Sequence, residues 1–197
     1  RAYATWSQTS VNERARYLQA IADTMAQQFE KLVALSVLNN GKPIAEAKID
    51  VSDAIDCYRY YANLITEQTT WSKVETNESS IRLLKTYAPV GICALIVPWN
   101  FPMVTTAWKL APALAAGCTV LLKPSEVTLL PELMLGNILS TIKLPKGVVN
   151  ILPGAAEVGA AMTSHPLIDK VSFTGSNVVG EKVMRQAATG IKDISLE

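Results

Sequence analysis

Five short stretches combine residue types that handle sugars, phosphates or reacting carbonyls, and each follows an apolar run. They are Pro98-Trp99-Asn100, Lys123-Pro124-Ser125-Glu126, Pro153-Gly154, Thr174-Gly175-Ser176 and Glu197. Lys123 is suited to donate to a ribose hydroxyl or a phosphate, and Glu126 to accept from a ribose hydroxyl. Gly175 and Ser176 open a helical pattern, where free backbone amides suit a phosphate. The side-chain amide of Asn100 is suited to a developing oxyanion, a contact worth about 3 kcal/mol where one such donor is removed. Structural roles compete at each place. Asn100 also reads as the cap of the helix that Pro102 begins, Lys123 as a solvated lysine at a strand end, and Gly175-Ser176 as a simple helix cap. The run Gly175-Ser176-Asn177-Val178-Val179-Gly180 matches neither the G-x-G-x-x-G fingerprint nor a phosphate-binding loop ending in Lys-Ser/Thr.

The residues able to attack a carbonyl are less promising. His165, the single histidine, precedes Pro166 in a connection and reads as structural. Cys93 falls inside a buried strand, Cys118 beside a helix end and Cys57 on a helix, whereas a reactive thiolate wants an electropositive, partly exposed pocket. No nucleophile is visible among them.

The elements that must position these stretches follow from periodicity. Short apolar runs at Val90–Val97, Thr119–Leu122, Val148–Leu152, Val171–Phe173 and Ile194–Leu196 predict strands. Helical patterns intervene at Pro102–Ala116, Leu130–Thr141, Val158–Ser164 and Val178–Ala188. Strands apolar on both faces, each returned by a helix, predict a doubly wound, mostly parallel sheet, a Rossmann-like α/β fold. In such a sheet ligands bind outside the carboxyl ends of the strands, and all five polar stretches fall in that register. Upstream, Ser10-Val11-Asn12-Glu13 is a capping box. Val11, Ala15, Leu18, Ala22, Met25, Phe29, Leu32 and Val33 then mark an amphipathic helical region that breaks near Phe29 and ends at Asn40-Gly41. A second long helix carries Ile44, Ala47, Val51, Ala54, Ile55, Tyr58, Ala62 and Ile65 on one stripe. Between Thr70 and Pro89 a polar, β-prone stretch predicts a protruding hairpin turning near Asn77 and Glu78.

Composition limits the partners. Of 197 residues 49% are hydrophobic and 18% charged, far from a disordered composition. Eighteen basic against seventeen acidic side chains give a net charge of +1, which supplies no electrostatic reason for nucleic acid or an anionic membrane. No apolar run reaches the roughly 20 residues that span a bilayer. Three widely spaced cysteines fit neither a disulfide framework nor a zinc pattern and point to a reducing compartment. The sequence opens on Arg1 and stops at Glu197, straight after a strand, so a piece of a longer polypeptide is expected.

Pro98-Trp99-Asn100-Phe101-Pro102, Lys123-Pro124-Ser125-Glu126, Phe173-Thr174-Gly175-Ser176 and Ser195-Leu196-Glu197, in this order and at these separations, resemble the NAD(P)-dependent aldehyde dehydrogenase superfamily in its N-terminal, cofactor-binding portion. The likeness covers nearly the whole chain, helices and hairpin included. It implies oxidation of an aldehyde to a carboxylate through a cysteine thiohemiacetal, hydride transfer to nicotinamide and hydrolysis of a thioester. It further implies that Asn100 stabilises the oxyanion, that Glu197 is the general base activating water, and that Lys123 and Glu126 hold the adenosine ribose. A carboxylate at position 126 repels a 2′-phosphate, so the implied cofactor is NAD rather than NADP. Val97, Pro98, Trp99, Gly154, Phe173, Gly175, Ser176 and Val179 are then expected to line the cofactor groove, and no metal is implied. Asn177 stands where a Thr is common in the family's glycine turn.

The large departure from the family is an absence. Its cysteine nucleophile lies downstream of the Glu197 position in a separate catalytic domain, and Cys57, Cys93 and Cys118 match no part of that motif. By the resemblance, residues 1–69 are helices packed on the cofactor domain, 70–89 an oligomerisation hairpin without its partner strand, and 90–197 an incomplete dinucleotide-binding domain. The parent is expected to be a cytoplasmic homo-oligomer acting on an aldehyde, with this portion inactive alone. A non-catalytic nucleotide-binding or interaction module stays open as an alternative. A phosphorylating or acyl-CoA-forming relative shares the fold, but Glu197 favours water as the acceptor.

Overall fold

A computed structural model of the chain describes residues 1–68, 71–78 and 80–197. The Ser10 hydroxyl accepts from the Glu13 amide at 3.2 Å and so starts α2 (Val11–Gln27). The helix breaks at Gln28 and resumes as α3 (Phe29–Asn40), which ends with Gly41 in the left-handed conformation at φ +77°. Ahead of these lies α1 (Ala2–Trp6), a helix of five residues that sequence periodicity does not reveal. It is held by Trp6, which is buried with its ring 5.7 Å from that of Tyr17. The stripe of α4 (Ile44–Glu67) is buried from Ala47 to Ile65, but Ile44, at the first turn, is 61% exposed and does not belong to it. Among the described residues no helix is long and apolar enough to cross a membrane.

β1 (Trp71–Val74) and β2 (Leu83–Thr86) pair antiparallel, Trp71 opposite Thr86 and Val74 opposite Leu83, with Asn77 and Glu78 in the connection. Thr70, where the predicted hairpin begins, lies outside the described residues. Trp71, Leu83, Leu84 and Tyr87 are exposed, and the ribbon joins neither hydrophobic cluster.

The remaining elements alternate: β3 (Ile92–Ile96), α5 (Pro102–Ala116), β4 (Thr119–Lys123), α6 (Leu130–Thr141), β5 (Val149–Ile151), α7 (Ala156–Ser164), β6 (Lys170–Phe173), α8 (Asn177–Ala188) and β7 (Asp193–Leu196). The five strands form one parallel sheet in the order β5-β4-β3-β6-β7. β3 begins at Ile92 rather than Val90: Gly91 before it has φ +130°, outside the strand conformation, and the Ile92 amide is taken by the Asp169 carboxylate at 2.7 Å. Alternation along the strands divides the core. Cys93, Leu95, Val97, Val120 and Leu122 share one cluster with α2, α4, α5 and α6, while Ala94, Ile96, Val171 and Phe173 join Met162, Val183 and Ala187 of α7 and α8. Both faces are covered, so the domain is doubly wound, and the N-terminal helices contribute to the first cluster rather than a core of their own.

Candidate functional site

The strand order places a switch point beside β3. The chain leaves β3 for β4 and β5 on one side, then returns to place β6 on the other. Connections that leave neighbouring strands in opposite directions open a crevice at their carboxyl ends. A groove of 480 Å³ occupies that place. Val97, Pro98 and Trp99 line it from β3, Lys123, Ser125 and Glu126 from β4, and Phe173, Thr174, Gly175 and Ser176 from β6. Val179 and Lys182 of α8 and Ala156 and Gly159 of α7 close it. Three of the five predicted stretches therefore meet there.

The Lys123 side chain is buried and runs beside Gly159, where an added Cβ would stand 3.6 Å from its Cδ. Its ammonium donates to the Pro124 carbonyl at 3.1 Å and to Glu126 Oε2 at 3.2 Å. Glu126 is half exposed, and its own backbone amide, then Lys123, hold its carboxyl below the usual range against a desolvation that acts the other way. A cation and an anion are thus fixed side by side at the groove mouth, which is the equipment for a diol. At Gly175 an added Cβ would meet Phe173 Cζ at 2.5 Å, so only glycine lets the backbone pass over that ring. Ser176 is the N-cap of α8, yet its side chain caps nothing. The first acceptor inside the helix is the Ser176 carbonyl, bonded by Val179 and Gly180, which leaves the amides of Asn177 and Val178 without helical partners.

Neither Asn100 nor Gly154 is among the residues that line the groove. Asn100 does not cap α5. The capping position belongs to Phe101, and the free amide of Val104 is taken at 2.8 Å by Asp50 of α4. Asp50 is buried and paired with Lys42 at 3.2 Å, and desolvation raises its pKa in spite of the Val104 amide and Lys42. Asn100 itself sits exposed in the bend after Trp99, with no side-chain hydrogen bond among the described residues. Gly154 does not line the groove. Its φ is +153°, and its absent Cβ makes room for Val158, 2.3 Å from where that atom would be.

Glu197 lies one layer behind the groove. Thr174, which lines the groove, donates to Glu197 Oε2 at 2.8 Å, and Lys109 Nζ reaches the same oxygen at 3.2 Å. Thr174 first, then Lys109, keep the Glu197 carboxyl below its ordinary range. Lys109 is buried inside α5 and also donates to Ser172 at 3.1 Å; burial lowers its pKa more than Glu197 restores it. Glu197, Lys109, Cys93 and Cys118 line a second cavity, of 420 Å³, on the α5 face of the sheet. There the Cys118 thiol is lowered, first by its hydrogen bond with Cys93, whose own thiol is raised. Burial pushes Cys57 up to about 11. None of the three thiols lines the groove. His165 caps α7, its Nδ1 accepting from the Leu167 amide at 3.1 Å.

Several groups of this site escape a sequence reading. Lys109 and Asp50 each left a signal, a lone charge inside the apolar face of a helix. Thr174 left a weaker one, standing beside Gly175. Lys182, on an exposed helix face, left none.

The sequence profile of the aldehyde dehydrogenase family matches residues 1–197. A peroxisomal aminoaldehyde dehydrogenase of Pisum sativum is 44% identical over 196 residues, spanning 98% of this chain and 39% of the relative. A chloroplastic betaine aldehyde dehydrogenase of Beta vulgaris is 40% identical over the same shares. The crystal structure of a betaine aldehyde dehydrogenase from Staphylococcus aureus in complex with NAD+ superposes with a TM-score of 0.94 at 34% identity, covering 100% of this chain and 39% of that one. The chain thus spans about two fifths of the length of the relatives it matches. A profile matched end to end, on a parallel sheet with its groove at the switch point, makes the chain a member of the aldehyde dehydrogenase family.

Proposed function

We propose that these residues are the cofactor half of an NAD-dependent aldehyde dehydrogenase that oxidises an aldehyde to a carboxylate. The observation that carries this is the groove itself: a preformed Lys123–Glu126 pair on one wall and Gly175 and Ser176 on the other, leading into a helix start whose first two amides have no helical partner. Its volume lies within the range of small-molecule sites. Lys123 and Glu126 hold the adenosine ribose, and the Glu126 carboxylate turns away a 2′-phosphate. Gly175, Ser176 and the start of α8 receive the pyrophosphate, while Val97, Pro98, Trp99, Phe173 and Val179 bound the rest. Bound there, the nicotinamide cofactor supplies the hydride acceptor.

Asn100, not engaged in capping, is the donor to the oxyanion that develops when the aldehyde is attacked. Glu197 is the base for water in thioester hydrolysis, and the Thr174 and Lys109 contacts keep it ionised. The attacking thiol comes from outside residues 1–197, since Cys57, Cys93 and Cys118 all stand away from the groove. The Pisum sativum and Beta vulgaris relatives support an aminoaldehyde or betaine aldehyde as substrate. We assign residues 1–69 and 90–197 to one cofactor-binding unit, and the segment 70–89, of which β1 and β2 form an exposed ribbon, to a homo-oligomer contact. Three free thiols support a reducing compartment such as the cytoplasm, although the Pisum sativum relative is peroxisomal and the Beta vulgaris one chloroplastic.

Calorimetric titration of the chain with NAD and NADP tests the assignment. Binding of NAD in preference to NADP is expected, with no turnover of any aldehyde by these residues alone. Failure to bind either dinucleotide refutes the cofactor site, and turnover refutes the placement of the nucleophile.

A further inference from the structure

The end of α3 holds the cofactor loops from behind. Asn39, half-buried, commits both ends of its amide to the connection after β4: its Nδ2 donates to the Val127 carbonyl at 3.3 Å, and its Oδ1 accepts from the Leu130 amide at 2.8 Å. Leu130 opens α6, and Leu129 at the capping position has no side chain able to satisfy it. Asn39 therefore caps a helix 91 residues away in sequence. Val127, whose carbonyl it holds, is the neighbour of Glu126. Both Glu126 and Val127 are exposed, with Val127 at 60%, so no apolar packing fixes that part of the loop. The adjacent Asn40 donates to the Trp99 carbonyl on the loop after β3. Lys42 lies 4.1 Å from the centre of the Phe101 ring while pairing with Asp50. One helix terminus thus grips two of the three loops that bound the groove.

We infer that Asn39 is a positioning residue for cofactor choice, setting where the Glu126 carboxylate stands and hence how strongly a 2′-phosphate is refused. This rests on the dinucleotide reading above. Without the tether the Glu126–Val127 segment is held only by the Lys123 pair and by the turn that buried Thr128 closes on Ser125, and the repulsion that distinguishes the two cofactors is spread over more positions. An amide is needed at 39 because one side chain must both donate and accept. Aspartate keeps the acceptor for Leu130 and loses the donor to Val127.

NAD and NADP affinities are measured calorimetrically on the wild-type chain and on Asn39→Ala, Asn39→Asp and Leu38→Ala, with a thermal melt of each. Leu38 is 77% exposed and serves as the control. In Asn39→Ala the affinity for NAD is expected to fall about three- to tenfold, in line with one hydrogen bond's net worth, with NADP affinity unchanged or higher. Asn39→Asp should lose discrimination similarly while keeping the wild-type melting temperature, which separates loop placement from helix capping. Leu38→Ala should match wild type. An unchanged NAD:NADP ratio in both Asn39 variants overturns the inference and leaves the dinucleotide site standing. Equal loss of both cofactors makes Asn39 a stability residue and also overturns it. A wild-type chain that binds neither dinucleotide refutes the underlying reading instead.

Discussion

Glu132 offers a test of the core that is independent of any ligand. It lies on α6 fully buried, and among the described residues neither carboxyl oxygen has a hydrogen-bond partner. The Tyr58, Thr106 and Thr128 hydroxyls are likewise buried without partners. Burial first, with the Asp50 charge adding to it, pushes the Glu132 carboxyl from 4.5 up to about 8. The Thr106 hydroxyl eases this only in part, since it does not form a well-aligned bond. Below the unfolded pKa the group is protonated in both states and costs nothing. As pH rises the unfolded chain releases the proton while the folded one retains it, so stability falls by about 1.4 kcal/mol per pH unit. By pH 7 the accumulated cost is about 3 kcal/mol, and it levels off above the folded pKa near 8. Glu132→Gln removes the titration and keeps the volume. Thermal melts of both chains from pH 4.5 to 8.5 should coincide at the acid end and separate steadily, the variant melting roughly 6–12 °C higher at pH 7. Parallel curves, or a variant less stable at every pH, would refute a buried, unpartnered carboxylate.

Three further outcomes are expected. Asp50→Ala leaves the Lys42 ammonium buried without its anion and the Val104 amide without an acceptor, and should cost about 3–5 kcal/mol by chemical denaturation. Glu126→Ala should narrow the NAD to NADP affinity ratio by improving NADP binding; an unchanged ratio removes Glu126 from cofactor choice. In a complete polypeptide, Thr174→Val removes the main cause of Glu197's low pKa. The carboxylate then protonates at higher pH, so the acid limb of the rate profile should shift upward, and an unmoved limb would place the base elsewhere.

Much of this was legible in the sequence because its signals are local. Short continuous apolar runs at β3 and β4 announce a buried parallel sheet, and the intervening three- and four-residue spacing announces α5 and α6. Those two helices agree to the residue with the sequence reading, and in the fold Pro102 and Pro131 lie in their first turns while Gly117 ends the former. The five-residue α1 was not, because so short a segment shows no period. The stretches Lys123–Glu126 and Thr174–Ser176 were found through strand register, and the fold brings them to one groove.

What the sequence left undecided at three positions shares one cause. Asn100 seemed a helix cap until Asp50 proved to hold the free amide of Val104, 54 residues from it in sequence. Gly154 seemed part of the ligand wall until Val158 accounted for its missing side chain. Glu197 ends its strand at the right edge, yet Thr174 and Lys109 draw its carboxylate toward a different cavity. By itself the amino-acid order determined which segments are strands and helices and which loops carry polar groups, because those properties depend on neighbours a few residues apart. Only the tertiary structure decided which amide each buried side chain satisfies and which loops face one another. That depends on the strand order β5-β4-β3-β6-β7, in which residues far apart along the chain become adjacent.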